Sequence, residues 1–391
     1  MPPVTVAELD AYIVAVPLRK QVKHASHARQ SSDNVVVRCK LSDGSVGWGE
    51  GVPRDYVTGE TAGGALDLLK AADWNLAGCN DFAESVQLAE SFALPAVPGD
   101  DRGCATNAAR CAVELALLDA YGRAFGEPLM NVTKMVAPEL YAPRPVVRYD
   151  GIVLSAKGWK ARVTTLAQRV YGLKQLKVKV GIAGQDDVRR LRQIRRVAGP
   201  GIDLRVDANE AWTAGECAER IRALMPADVS SVEQPVRHED VACLAEVRKR
   251  VTTPVMLDES LCSMTDAERA VAGGWCDRFN LRLSKCGGFV RTLRLASYAT
   301  AHGLGYQLGC QVGETAILSA AGRHFATSVK GVRYLEGSYD RRLVLDWLTT
   351  EDITFGRGGL APMLTGSGLG VTVEPERVAF RATRREQLRG G

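Results

Sequence analysis

The sequence predicts an α/β protein: a modified TIM barrel of the (β/α)7β type, with an N-terminal α+β capping domain that the C-terminal segment completes. Three observations predict it. From Val146 onward, eight short apolar runs recur, each followed by a segment with helical apolar spacing. The period is that of one strand plus its crossover helix, about 30 residues or a little less, so the repeat is a parallel βα array. Second, the runs end in charged residues. Lys179, Asp207, Glu233 and Asp258 follow one another at steps of 28, 26 and 25 residues, and a cationic position, Arg282 or Lys285, comes next. Third, the first 60 residues alternate like antiparallel strands, so a different domain precedes the repeat.

At 391 residues the chain is too long for one ordinary core. With 46% apolar and 24% charged residues it has the composition of a soluble globular protein. The net charge of +5 is mild and its basic residues are scattered, with no basic face interleaved with aromatics, which argues against nucleic acid as a partner. A weak positive field suits small anionic substrates. The N-terminus, MPPVTVAELDAYIVAVPL, lacks the cationic start of a signal peptide. No apolar run reaches the ~18–20 residues of a membrane span, so no membrane partner is expected. Ten dispersed cysteines without a CxxC pair fit a reduced, cytoplasmic chain in which they serve as small buried hydrophobes.

The capping domain is expected over residues 1–135. VAELDAYIVAVPL, DNVVVRCKLSDG and SVGWGEG read as three antiparallel strands with a hairpin turn at Ser42-Asp43-Gly44. The polar segment RKQVKHASHARQSS between the first two is too long for a tight turn and reads as a loop. Helical patterns follow at 61–94 and 103–125, the second ending at Gly126, a C-terminal cap. The barrel is expected over 145–346, with strands VVRYDGIV, QLKVKVG, DLRVDAN, VSSVEQP, PVMLDES, RFNLRLS, GYQLGCQ and VRYLEGS. The alternative, a doubly wound sheet, requires a phosphate-binding glycine loop after its first strand. Neither Gly287-Gly288 nor Gly358-Gly359 has that form. Residues 347–391 are Gly/Pro-rich with short strand-like pieces and are expected to return to the cap.

Catalytic groups of a barrel come from the C-terminal ends of its strands. Asp207, Glu233 and Asp258 fall there on strands three, four and five. Three carboxylates held together repel one another unless a cation joins them. All-oxygen ligands favour Mg²⁺ over zinc, with Mn²⁺ as a substitute. The plain alternative is that each acid caps a helix or pairs with an arginine. Lys177 and Lys179 flank Val178, so alternation puts both on the barrel interior. Two adjacent ammonium groups depress each other's pKa and leave one able to act as a base. Their plain alternative is two solvated lysines on an edge strand.

Together these motifs resemble the enolase superfamily, in its muconate-lactonizing-enzyme subgroup. The matching elements are the K-x-K of Lys177 and Lys179, Asp207-Ala208-Asn209, Glu233-Gln234-Pro235, Asp258-Glu259-Ser260, and the N-terminal GWGEG followed by YVTGET. The resemblance covers essentially the whole chain. It implies a homo-oligomer acting on a small carboxylate, with Mg²⁺ on Asp207, Glu233 and Asp258 and a lysine moving the proton at the adjacent carbon through a metal-stabilised enolate.

One departure from the pattern bears on the chemistry. The subgroup usually carries a lysine on strand six, where this chain reads Asn280-Leu281-Arg282. Lys285 lies three further on, where alternation aims it off the inward face. Arginine stays protonated and is a poor base. The expectation is therefore a one-base enzyme: Lys179 as acid/base, Lys177 lowering its pKa and contacting the substrate carboxylate, and Arg282 stabilising charge, with Lys285 the alternative second base. That suits a cycloisomerase or a related one-base isomerase or lyase. The alternative is an amino-acid or dipeptide racemase or epimerase. An alternative of another class is a non-catalytic metal-binding barrel, against which the intact K-x-K argues.

Substrate contacts are expected from the two lid loops, 19–32 with His24, His27 and Arg29, and 51–60, and from Asn209 on the rim. Cys310, Gln311 and Glu314 follow strand seven, and Glu336 ends strand eight with Tyr339 and Asp340 beyond it. Related dipeptide epimerases hold a substrate ammonium with an Asp-x-Asp there, which Glu336 and Asp340 match imperfectly. The competing role for Glu336 is a salt bridge to Arg341 or Arg342.

Overall fold

The computed structural model describes residues 2–23, 28–156, 158–345 and 347–390, without the side chains of 20–23, 28 and 29. His24, His27 and the Arg29 side chain lie outside the described residues.

The N-terminal strands Val6–Lys23, Ala28–Leu41 and Val46–Gly51 form an antiparallel sheet, and the C-terminal strand Ala382–Arg389 pairs with the first of them. The segment 19–32, read as a loop, is largely ladder: strand backbone runs to Lys23 and resumes at Ala28. Ladder bonds join backbone groups, so polar side chains do not prevent them. Hydropathy alternation marks only the part of a hairpin that lies on a core.

The glycines of GWGEG have a packing role. A Cβ on Gly47, Gly49 or Gly51 would lie 2.1 Å from Ala120 N, 2.0 Å from Ala112 O or 1.9 Å from Ala108 O. Every second residue is bare, so helix Asn107–Phe125 rests its backbone directly on the strand. That helix is buried along almost its whole length and ends at Gly126, in the left-handed region at φ 73. The stretch 61–94 is two helices, Ala62–Ala71 and Phe82–Ser91. Thr61 and Asp81 cap them by accepting from Gly64 N and Glu84 N, and Asp73 holds a turn between them through Asn75 N.

Eight parallel strands form the second domain in sequential order: Gly151–Val153, Gln175–Lys179, Asp203–Asp207, Val229–Glu233, Val255–Leu257, Arg278–Leu281, Gly305–Leu308 and Val332–Leu335. The expected first strand splits: Val146–Arg148 pairs antiparallel with Leu360–Pro362, and only Gly151–Val153 joins the barrel. Asp150 bridges the first and eighth strands. Its N–H donates to Leu335 O at 2.8 Å, and its carboxylate accepts from Leu335 N at 3.1 Å. Among the described residues no helix is long and apolar enough to cross a membrane.

Glu50 fastens the cap to the barrel. It is fully buried, and its carboxylate accepts from Thr315 N (3.0 Å), Thr315 Oγ1 (2.7 Å) and Leu318 N (3.0 Å) at the start of helix Ala316–Ser328. A negative side chain is favoured at a helix N-terminus. Asn34 donates to Glu50 and to Gly313 O, and Arg54 donates to Val312 O. The loop after strand seven is thus held by the cap on one side and by its own helix on the other.

Candidate active site

Parallel register brings the charged residues together. Lys177 pairs with Arg205, Lys179 with Asp207, and Asp207 with Glu233 across three neighbouring strands. Alternation turns Lys177, Lys179, Arg205 and Asp207 to one face, the barrel interior.

Lys177 is buried, with Nζ 2.7 Å from Glu336, 3.1 Å from Glu233 and 3.2 Å from Asp207. Burial works against its charge, but Glu233, Glu336 and Asp207 outweigh it and hold its pKa well above the usual lysine value. An ammonium has three protons, and here three acids surround it. Lys177 is thus counter-ion to the acids, and the contact expected with a substrate carboxylate would share its ammonium with them.

Lys179 opens to the mouth. Its side chain is 22% exposed, against 4% for Lys177 and 0% for Lys285. Its Nζ lies 2.8 Å from Asp207 Oδ2 and donates to Asn209 Oδ1. Asn209 sits at φ 44, donates its N–H to Asp207 Oδ1 at 3.0 Å, and gives Nδ2 to Glu259 at 3.2 Å. Asn209 thus orients Lys179.

Asp207, Glu233 and Asp258 have no exposed surface. Asp207 is held below the usual range because Lys179 and Lys177 overcome the effect of burial. Asp258 is also lowered against burial, by Arg282, which donates to its Oδ2, and by Lys285, 2.9 Å from its Oδ1. Glu233 is pushed up to about 8, by burial first and then by Asp207, with Lys177 opposing. Asn280 donates to it at 2.9 Å and Gln307 at 3.3 Å.

Lys285 is completely buried, and its Nζ donates to Asp258 O, Asp258 Oδ1 and Asn280 O. It therefore does point inward, contrary to the alternation argument, because the strand ends at Leu281 and its parity does not extend to residue 285. With all three donors engaged, Lys285 has no proton free for a substrate and is not placed as a second base. Arg282 lies on the rim at 12% exposure, its guanidinium between Asp258 and Glu233, 3.8 Å from the latter.

Glu336 bonds neither Arg341 nor Arg342. Its carboxylate takes Lys177 and Arg205 Nη2, the latter at 2.5 Å, and Arg205 Nη1 reaches Asp150 at 2.8 Å. Arg341 pairs with Asp352, and Arg342 donates to the Tyr171 hydroxyl. Asp340 does not join Glu336: it lines a separate small cavity with Thr315 and Trp347. Gln311 N donates to Glu314 at 2.6 Å, and the half-buried Cys310 lies beside them. Arg205, Asp150, Asn280, Gln307 and Glu259 were missed from sequence. Arg205 lies two residues before Asp207 and Asn280 two before Arg282, so the same alternation could have revealed both. Asp150 and Gln307 needed the three-dimensional register.

As the side chains stand, no three acidic, histidine or cysteine side chains among the described residues close on a common point as metal ligands. Arg282 lies in the gap between Glu233 and Asp258. The donor chemistry nevertheless fits a hard divalent ion: three buried carboxyl groups on consecutive strand ends, one of which, Glu233, is pushed up to about 8 by burial and by Asp207, so that a bound cation would hold it ionised. Holding an ion there requires the Arg282 head group to withdraw from Asp258.

A capped barrel with this acid and lysine rim defines an enzyme of the enolase superfamily. Two family models match the chain: the mandelate racemase / muconate lactonizing enzyme N-terminal domain over residues 8–133, and the enolase C-terminal domain-like family over residues 161–377. The chain belongs to the mandelate racemase/muconate lactonizing enzyme family of that superfamily. It is 30% identical to a hydrophobic dipeptide epimerase of Enterococcus faecalis, over 78% of this chain and 81% of that protein. It is 27% identical to an N-succinyl-L-Arg/Lys racemase of Bacillus cereus, over 85% and 86%. The crystal structure of a dipeptide epimerase from Cytophaga hutchinsonii, complexed with Mg and D-Ala-L-Val, shares the fold with a TM-score of 0.84. It has 24% identity, over 98% of this chain and 99% of that one. These relatives are named as epimerases and racemases, so similarity favours the racemase/epimerase alternative over the cycloisomerase expectation.

Proposed function

We propose that this protein is a Mg²⁺-dependent isomerase that epimerises or racemises a small N-substituted amino acid at the carbon beside its carboxylate. The observation that carries the proposal is the exposure and positioning of Lys179: of the three lysines at the rim, it alone opens to the mouth while Asp207 and Asn209 fix its amine. In this reading Asp207, Glu233 and Asp258 hold the ion. When bound, the ion supplies positive charge to the substrate carboxylate and to the charge that grows as the adjacent C–H bond breaks. Lys179 moves the proton on its own face of that carbon, and inversion takes the replacement proton on the opposite face, the Arg282 side, from solvent water. Lys177, Arg205 and Glu336 keep the acids oriented and are too engaged to exchange protons themselves.

Arg282 favours a second reading. Inverting a centre requires a proton from the opposite face, and an arginine in place of a second lysine is a poor proton carrier. In that case Lys179 works on one face only, in a syn elimination, a cycloisomerisation or an exchange with retention. Incubation with Mg²⁺ in D₂O against N-acyl amino acids and dipeptides separates the two. One deuterium gained with inversion supports the epimerase; one gained with retention, or loss of water, supports the one-face reading. Absence of exchange in every compound, with wild-type protein that binds them, would refute Lys179 as a proton carrier. Arg282→Lys supplies a second lysine and should raise the inverted fraction if one face is the limit.

A further inference from the structure

Helix Gly158–Tyr171, which follows the first barrel strand, is built inside out. Its barrel side carries small or polar residues. Ala161 and Thr165 are buried, Thr165 Oγ1 donates to Ala161 O at 2.8 Å, and Gln168 Nε2 donates to Ile152 O at 2.8 Å. Its outer side carries the large apolar ones: Trp159 is 68% exposed, Val163 55%, Leu166 50% and Val170 65%. The neighbouring helix Asp187–Ala198 has the ordinary arrangement, with Leu191, Ile194 and Ala198 buried and Arg189, Arg192 and Arg196 exposed. Exposed apolar residues scattered singly are normal, whereas a contiguous stripe marks a contact surface.

Spacing and charge say what covers the stripe. Positions 159, 163, 166 and 170 advance by four, three and four, the seam spacing of two packed helices. That order is the same in both chain directions. An antiparallel copy of the helix therefore sets Trp159 against Val170, and Val163 against Leu166, of a second copy. Such a twofold contact is self-complementary and closes on itself. Leu154, 45% exposed, extends the stripe before Trp159. Leu360, 43% exposed, follows it beyond Val170, where Gly358 lies against Gly172.

The helix bears Lys160, Arg162 and Arg169, all exposed, and no acid. Antiparallel packing brings Arg162 within a turn of Arg169 of the second copy, so like charges meet at the edge of the seam. Exposed pairs of this kind interact weakly, and salt screens them beyond about 8 Å. Apolar burial decides the sign, and the contact should tighten as salt rises. Binding to an acidic protein or an anionic lipid surface would loosen instead.

We propose that the outer face of helix Gly158–Tyr171 is the surface on which two copies of this chain associate, helix against antiparallel helix. Fourteen residues give a seam about 21 Å long, a small interface, so the dissociation constant should be on the order of micromolar. Analytical ultracentrifugation of the full chain at low and high salt tests this. The wild type should associate in the micromolar range and more tightly at high salt. Leu166→Glu places a charge in the seam and should weaken association about 100-fold or more, with an unchanged circular dichroism spectrum; in a larger assembly it should halve the mass. Arg162→Glu should tighten association a few-fold at low salt, because it meets Arg169 of the second copy, and a merely structural role for Arg162 would not produce that gain. A wild type that stays monomeric at about 100 μM, well above the expected constant, would overturn the assignment. So would association untouched by Leu166→Glu, or association loosened by salt and by Arg162→Glu. Binding to phosphatidylglycerol vesicles that Leu166→Glu abolishes would give the face to a membrane and overturn it as well.

Discussion

Arg205→Met should be among the most costly single substitutions in the barrel. Arg205 is 1% exposed and bonds two buried carboxylates, Asp150 at 2.8 Å and Glu336 at 2.5 Å. Removing one partner of a buried ion pair costs roughly 3–5 kcal/mol, because the other is left charged without compensation. Methionine fills most of the volume, so the packing loss is minor beside the electrostatic one. At about 2 °C per kcal/mol for a large chain, the melting temperature should fall by roughly 6–10 °C. The loss should also depend on pH. Asp150 is already pushed up to about 7, by burial first, with Arg205 pulling it down, and without Arg205 it rises further. A carboxyl whose folded pKa lies above its unfolded value binds more protons when folded, so the variant regains stability relative to wild type as pH falls. The recovery is at most about 1.4 kcal/mol per pH unit. Asp150→Asn combined with Arg205→Met should restore part of the loss at pH 7. Urea unfolding of the three proteins at pH 5, 6 and 7 checks this. A loss under 1 kcal/mol, or one independent of pH, would refute the view that Arg205 acts as a buried counter-ion.

Further tests concern the site and the core. Lys179→Ala should lower α-deuterium exchange by about 10²–10⁴, with a smaller fall in melting temperature than loss of a fully buried lysine, because Lys179 is partly exposed and Asp207 keeps Lys177. Lys285→Met should instead destabilise the fold, since it strips Asp258 of a buried partner; mass spectrometry and calorimetry on both variants measure the contrast. His324 is fully buried and donates Nε2–H to Leu369 O at 3.0 Å, and burial depresses its pKa to about 4. Its stabilising share is present above the unfolded pKa near 6.5 and is lost as pH falls towards 4, about 3 kcal/mol in all. Unfolding curves of wild type should thus lose more stability over that window than those of His324→Gln. Stripping divalent ions and adding back Mg²⁺ should raise the wild-type melting temperature but not that of Asp207→Asn, as read by thermal shift.

Period and motif made much of this protein legible from its sequence. The eight strand runs, the lysines at 177 and 179 and the acids at 207, 233 and 258 are local facts, because alternation and repeat length depend only on neighbours along the chain. The helix cap at Gly126 was visible for the same reason. What one residue does to another from a different strand was not visible. Strand parity turns Lys177 inward but says nothing of the three acids around its amine. Lys285 was assigned an outward face until the strand was seen to end at Leu281. Glu336, expected at the substrate or else bridged to its sequence neighbours Arg341 or Arg342, instead meets Lys177 and Arg205, the latter 131 positions away. The sequence by itself determined which charged groups stand on the rim, since strand parity is a short-range property. Only the tertiary structure decided which of those groups are spent on one another and which, Lys179 above all, remain open to a substrate. That division depends on burial and on contacts between strands distant in sequence.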